Sequence, residues 1–100
     1  MDPAIPNIYV SDVVVSTAGR DQGSLYYVIS TDEMFLMLVN GKDRTLDKPK
    51  RKKLRHVQKV LRSETRVAAK IASGDKVLNS ELRRDLAYIA REMQANNLGG

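Results

Sequence analysis

Six of the eight residues from 48 to 55 are lysine or arginine: Lys48, Lys50, Arg51, Lys52, Lys53 and Arg55. Lys42 and Arg44 precede this tract, and Lys59, Arg62, Arg66 and Lys70 follow it. Like charges at this density repel one another and disfavour the isolated fold unless a polyanion neutralises them. Each cation that meets a phosphate also releases condensed counterions, which drives binding entropically. A solvated charge run is the plain alternative. The continuation of the tract into spaced cations favours nucleic acid over that alternative, although charge does not separate RNA from DNA.

A second candidate is the stretch 17–23, Thr-Ala-Gly-Arg-Asp-Gln-Gly. Gly19 and Gly23 permit left-handed backbone or close approach of another chain. Arg20 at the tip could reach a phosphate or a base edge. Asp21 is expected to fix the turn through its own backbone, as Asx turns do. Spacing alone is equally served by an ordinary hairpin loop. Exposed aromatics could stack on unpaired bases, but for Tyr9, Tyr26, Tyr27, Phe35 and Tyr88 packing in a small core is the simpler expectation. Tyr26 and Tyr27 fall on opposite faces of a strand, which predicts that one of them points outward.

Other chemistries lack their residues. There is no cysteine, and His56 is the single histidine, so neither a thiolate nor a histidine-rich metal site can be built. No metal, cofactor, small-molecule substrate or catalytic group is expected, and His56 reads as a polar RNA contact or a strand-end residue. The chain is not expected to be an enzyme.

The elements that must hold these residues are legible by period. The chain has 100 residues, 42% hydrophobic, with a net charge of +5, which suits a small folded domain with a polyanionic partner. Residues 1–7 lack a basic n-region and an apolar h-region, so no signal peptide is expected. The longest apolar run, 34–39, is far too short for a membrane span. The expected location is the cytoplasm, with no membrane partner.

Strands are predicted over 10–17, 25–30, 34–39, 44–47 and 53–57, the first centred on Val13, Val14 and Val15. Asn40-Gly41 predicts a two-residue hairpin, and Pro49 ends the fourth strand. Five short strands suggest a small barrel. From Lys59 the period changes. Val60, Val67 and Ile71 share one helical face, and Lys59, Arg62, Arg66 and Lys70 the other; Ser63 as an N-cap would start that helix later. Gly74-Asp75 breaks it. Asn79 or Ser80 caps a second helix with Leu82, Leu86, Ile89 and Met93 as its stripe. The two stripes most simply predict a mutual seam; a docking face for a ribosomal protein or for the barrel is the alternative. Arg84, Arg91, Glu81, Asp85 and Glu92 predict a mixed solvated outer face. The layout is a flexible 1–8, a barrel over 9–58, a helical hairpin over 59–96 and a frayed 97–100.

The stretch VVVSTAGRDQGSLYYVIS resembles a KOW motif, with Gly23 at the place of the motif's defining glycine. Together with NGKDRTLDKPKRKKLRHV it is similar to short bacterial KOW-domain RNA-binding proteins, which resemble a large-subunit ribosomal protein of archaea and eukaryotes. The likeness covers about 10–57, and LNSELRRDL is similar to the family's tail. It implies an α+β chain with an SH3-like barrel that applies its first turn and basic edge to ribosomal RNA as a ribosome-associated or assembly factor. The residues implied are Gly19, Arg20, Asp21 and Gly23, with Lys48, Lys50, Arg51, Lys52, Lys53, Arg55 and His56. Gln22 stands where a basic residue is common, and Asn40 where Asp is expected. KOW domains also serve as protein-interaction modules, so ribosomal protein or RNA polymerase is the alternative partner.

Overall fold

The computed structural model describes residues 7–99, with side chains through 95. It is an α+β arrangement of five antiparallel strands and two helices. The strands are β1 (Asp12–Ser16), β2 (Leu25–Thr31), β3 (Phe35–Val39), β4 (Lys50–Lys53) and β5 (Val57–Arg62), followed by α1 (Arg66–Ser73) and α2 (Asn79–Gly99). The sheet order is β4-β3-β2-β1-β5. The ladder is not closed. A 3-10 turn, Leu54–His56, joins β4 directly to β5, and its residues cannot extend a ladder between them.

Strand alternation explains two cores. Val13, Tyr27 and Val39 face one side, where Val67 and Ala68 of α1 and Leu82, Leu86 and Ile89 of α2 pack on them. Both helical stripes therefore dock on the sheet as well as on each other. Val14, Tyr26, Val28, Leu36, Leu38 and Val57 face the other side with Ile8; Leu54 of the 3-10 turn packs against them, and neither α-helix does. They are at most 9% exposed, so the sheet curls over its own inner face. Register shifts between Val13 and Val14 and between Val28 and Ser30 supply the bends that such curling needs. Because both faces of β2 are covered, Tyr26 and Tyr27 are both buried; the expectation that one points outward is corrected. Tyr9 and Tyr88, expected in the core, are exposed.

Several boundaries also differ from the sequence expectation. Residues 44–47 form no strand, and the β3–β4 connection is longer than a two-residue hairpin. The Asn40 side-chain oxygen accepts the N–H groups of Lys42 and Arg44, which closes a local turn. Gly41 then passes so close to α2 that a Cβ there would lie 2.2 Å from the Asn79 carbonyl oxygen. The strand expected over 53–57 is divided: Lys53 ends β4, the 3-10 turn takes Leu54–His56, and Val57 opens β5. Residues 59–62 belong to β5, paired with β1, so the strand-to-helix boundary expected at 58/59 lies beyond Arg62. Thr65, not Ser63, caps α1: its hydroxyl accepts the Ala68 N–H at 3.2 Å. The helix ends at Gly74, whose φ of 78° supplies the left-handed cap. The flexible segment expected over 1–8 lies outside the described residues up to 6, and Ile8 is buried. α2 continues to Gly99, past the end expected at 96; residue 100 lies outside the described residues. No helix among the described residues is long and apolar enough to cross a membrane.

Candidate nucleic-acid interface

β4 is an edge strand built almost wholly from the basic tract, and pairing with β3 sorts its side chains. Lys50 and Lys52 lie opposite Leu38 and Leu36, whereas Arg51 and Lys53 lie opposite Met37 and Phe35. The first pair therefore points toward the inner face of the sheet and the second pair outward.

The inward pair meets the β1–β2 loop. Lys52, only 7% exposed, donates from Nζ to Asp21 Oδ1 and to the Ala18 carbonyl, both at 2.7 Å. Lys50 Nζ reaches Asp21 Oδ2 at 3.1 Å. The Ser16 and Tyr26 hydroxyls also donate to this carboxylate, each at 2.8 Å. Burial alone would raise the Asp21 carboxyl, but the donors Lys52, Ser16, Tyr26 and Lys50 outweigh it and hold the group well below the ordinary carboxylate range. Burial, and then the Asp21 carboxylate, push the Tyr26 hydroxyl far above its ordinary value. Asp21 thus fixes its loop by gripping β4, and the local Asx turn expected for it is corrected. Gly19 and Gly23 have φ of 88° and 93°, and nothing lies within 4 Å of a Cβ built at Gly23. Its glycine serves backbone conformation, not close approach.

The loop, β4 and the 3-10 turn converge, for the Thr17 N–H also donates to the His56 carbonyl at 2.9 Å. This brings Arg20, Arg51, Lys53, Arg55 and His56 onto neighbouring elements. Arg20, Arg51, Lys53 and Arg55 are exposed, and His56 is half-buried. Lys48 is exposed just ahead of β4.

The remaining expected cations do not join them. Lys42 and Arg44 sit in the β3–β4 loop at the start of α2, where Arg83 donates to the Gly41 carbonyl. Lys59 and Arg62 belong to β5, at the opposite edge of the hydrogen-bonded ladder from β4. The common helical face expected for Lys59, Arg62, Arg66 and Lys70 is therefore corrected: β1 pairs with 59–62 and only Arg66 and Lys70 are helical. Lys59 is held by the buried Asp12 at 3.1 Å, and Lys70 by Glu81 at 2.8 Å.

All four ion pairs among the described residues use lysine: Lys50, Lys52, Lys59 and Lys70. Arg20, Arg44, Arg51, Arg55, Arg62 and Arg66 enter none of them. The three acids in these pairs, Asp12, Asp21 and Glu81, each hold lysine, and guanidinium groups, suited to bidentate phosphate contact, stay outside them. Arg51 instead lies over the Phe35 ring, 3.7 Å from its centroid. Sequence reasoning missed Phe35 as a partner of the tract and Ser16 and Tyr26 as partners of Asp21. The outward position of Phe35 between Leu36 and the preceding turn was the one available signal.

Asp85, expected on the solvated face of α2, is half-buried. It accepts hydrogen bonds from the Tyr27 and Thr65 hydroxyls. Burial, and then the Asp85 carboxylate, push the Tyr27 hydroxyl up to about 12. No group of three or more His, Cys, Asp or Glu among the described residues is placed to hold a metal ion. No family model matches the chain, and no curated protein matches it.

Proposed function

We propose that this chain is a cytoplasmic RNA-binding protein of the KOW type that acts on ribosomal RNA as a ribosome-associated or assembly factor, without catalytic activity. The observation that carries the reading is a set of cations outside ion pairs on one edge: Arg51, Lys53 and Arg55 are exposed and outside every ion pair among the described residues, on elements that also hold the Arg20 loop. The motif resemblance of 10–57 supports the same partner. An SH3-like barrel is supported by the strand order β4-β3-β2-β1-β5, the 3-10 turn before β5, and an inner core that neither α-helix enters.

Affinity in this reading comes from phosphates, so salt tests it. If Lys48, Arg51, Lys53 and Arg55 neutralise about four phosphates, log affinity for a ribosomal RNA fragment falls against log salt with a slope of about −2.8 for single strands and about −3.6 for a duplex. A flat salt dependence would overturn the reading, and a protein partner retained after nuclease treatment would replace it.

A further inference from the structure

We propose that Arg51 and Phe35 form a stacking site for one unpaired base of a single RNA strand; this rests on the RNA-binding reading and names the part of the ligand that one patch takes. β3 alternates, with Leu36 and Leu38 in the inner core and Phe35 and Met37 on the other side. Phe35 and Met37 are only half-buried there, beyond the part of the sheet that the helices cover. Lys53 lies directly across from Phe35, and Arg51 across from Met37. From that position the Arg51 guanidinium reaches diagonally onto the Phe35 ring, at 3.7 Å from the centroid.

A contact this short pre-orders a side chain that would otherwise lose rotamer freedom on binding. One face of the guanidinium is desolvated by the ring. The opposite face is available, because Arg51 is exposed and joins no ion pair among the described residues. A guanidinium plane held in this way is a platform for a base, by stacking and cation–π attraction. Lys53 and Arg55 flank it for the neighbouring phosphates. Asp32 is an opposing acid whose charge interacts with Arg51. Its Oδ1 already accepts the Met34 and Phe35 N–H groups at 2.9 and 2.7 Å, and so it organises the turn ahead of Phe35. The π-face of a base is accessible in a single strand and hidden in a duplex, so the site selects unpaired RNA.

The test compares three ligands of equal phosphate number: a single strand of about ten nucleotides, the same strand with abasic sugars, and a duplex. The wild-type protein should prefer the intact strand to the abasic one by about tenfold. Arg51→Lys keeps the charge and removes the plane; it should abolish that preference and leave duplex affinity within about twofold. Phe35→Leu, checked by thermal melting, should do the same by removing the ring beneath. An unchanged preference in Arg51→Lys, or no preference in the wild type, overturns the base site while salt-dependent RNA binding persists. No binding to any of the three ligands overturns the RNA-binding reading with it.

Discussion

The Nζ of Lys52 lies 2.7 Å from Oδ1 of Asp21, across 31 residues of sequence. This contact ties the tip of the β1–β2 loop to the edge strand and buries a lysine that a charge count would assign to a ligand. It divides the basic tract into two functions: Lys50 and Lys52 hold the loop in place, while Arg51, Lys53 and Arg55 face solvent.

Asp21→Asn should lower stability by about 2–4 kcal/mol, because it leaves the Lys52 ammonium buried without its counter-charge. The pH dependence follows from the same group. The folded carboxyl sits below its ordinary value of 3.8, so the stabilisation is fully present above that value. It is lost as pH falls below it, where the unfolded chain takes up the proton first. Acid unfolding followed by circular dichroism should be steeper in the wild type than in Asp21→Asn. Equal slopes would show that the contact contributes nothing.

The two glycines Gly23 and Gly41 should separate by cause. Gly23→Ala meets open space and suffers only its left-handed backbone, about 1–2 kcal/mol. Gly41→Ala adds a collision with the Asn79 backbone and should cost more than 3 kcal/mol or prevent α2 from docking. Thermal melts of the two variants decide this, and a smaller loss at Gly41 would contradict the packing described.

Charge reversal should distinguish the edge from the helix. Arg55→Glu should weaken RNA binding severalfold or more and reduce the salt slope. Arg66→Glu lies at the first residue of α1, where an acid is favoured by the helix dipole. It should raise stability slightly, by about 0.3–1 kcal/mol, and affect RNA affinity less than Arg55→Glu. Paired titrations and melts test both halves of that statement.

Tyr27 provides an alkaline marker. Its hydroxyl is pushed up to about 12, against an ordinary value of 10.0 in the unfolded chain. The resulting stabilisation is complete below pH 10 and is lost as pH rises toward 12. Tyr27→Phe should flatten that loss in an alkaline melting series and lower neutral-pH stability by about 1–3 kcal/mol, since Ser63 loses a buried partner. Identical alkaline profiles would remove Tyr27 from this role.

What could be read from the sequence depended on how local the determining contacts are. β1, β2 and β3 carry enough β-branched and apolar residues to declare themselves, and Leu82, Leu86 and Ile89 mark the buried stripe of α2 by spacing alone. β4 was missed because Lys-Arg-Lys-Lys has no apolar alternation; it is a strand only through its pairing with residues 35–38. Lys59 and Arg62 mimicked a helical face by their spacing, and pairing with β1 overrode it. The cations of the candidate site were visible as a composition. Their division into inward and outward sets was not, because it depends on register and on Asp21, a partner far away in sequence.

The placement of the tract on an edge strand has a consequence for self-association. An edge offers unpaired N–H and C=O groups to any other strand, and proteins commonly blunt it with lysine and with short length. β4 has both features, with four residues, all of them basic. Two copies meeting along β4 would bring these cations together, which opposes the dry strand pairing that begins aggregation. Substitutions that neutralise the outward Arg51 and Lys53 therefore weaken the guard on the sheet edge, and their first visible effect belongs to solubility.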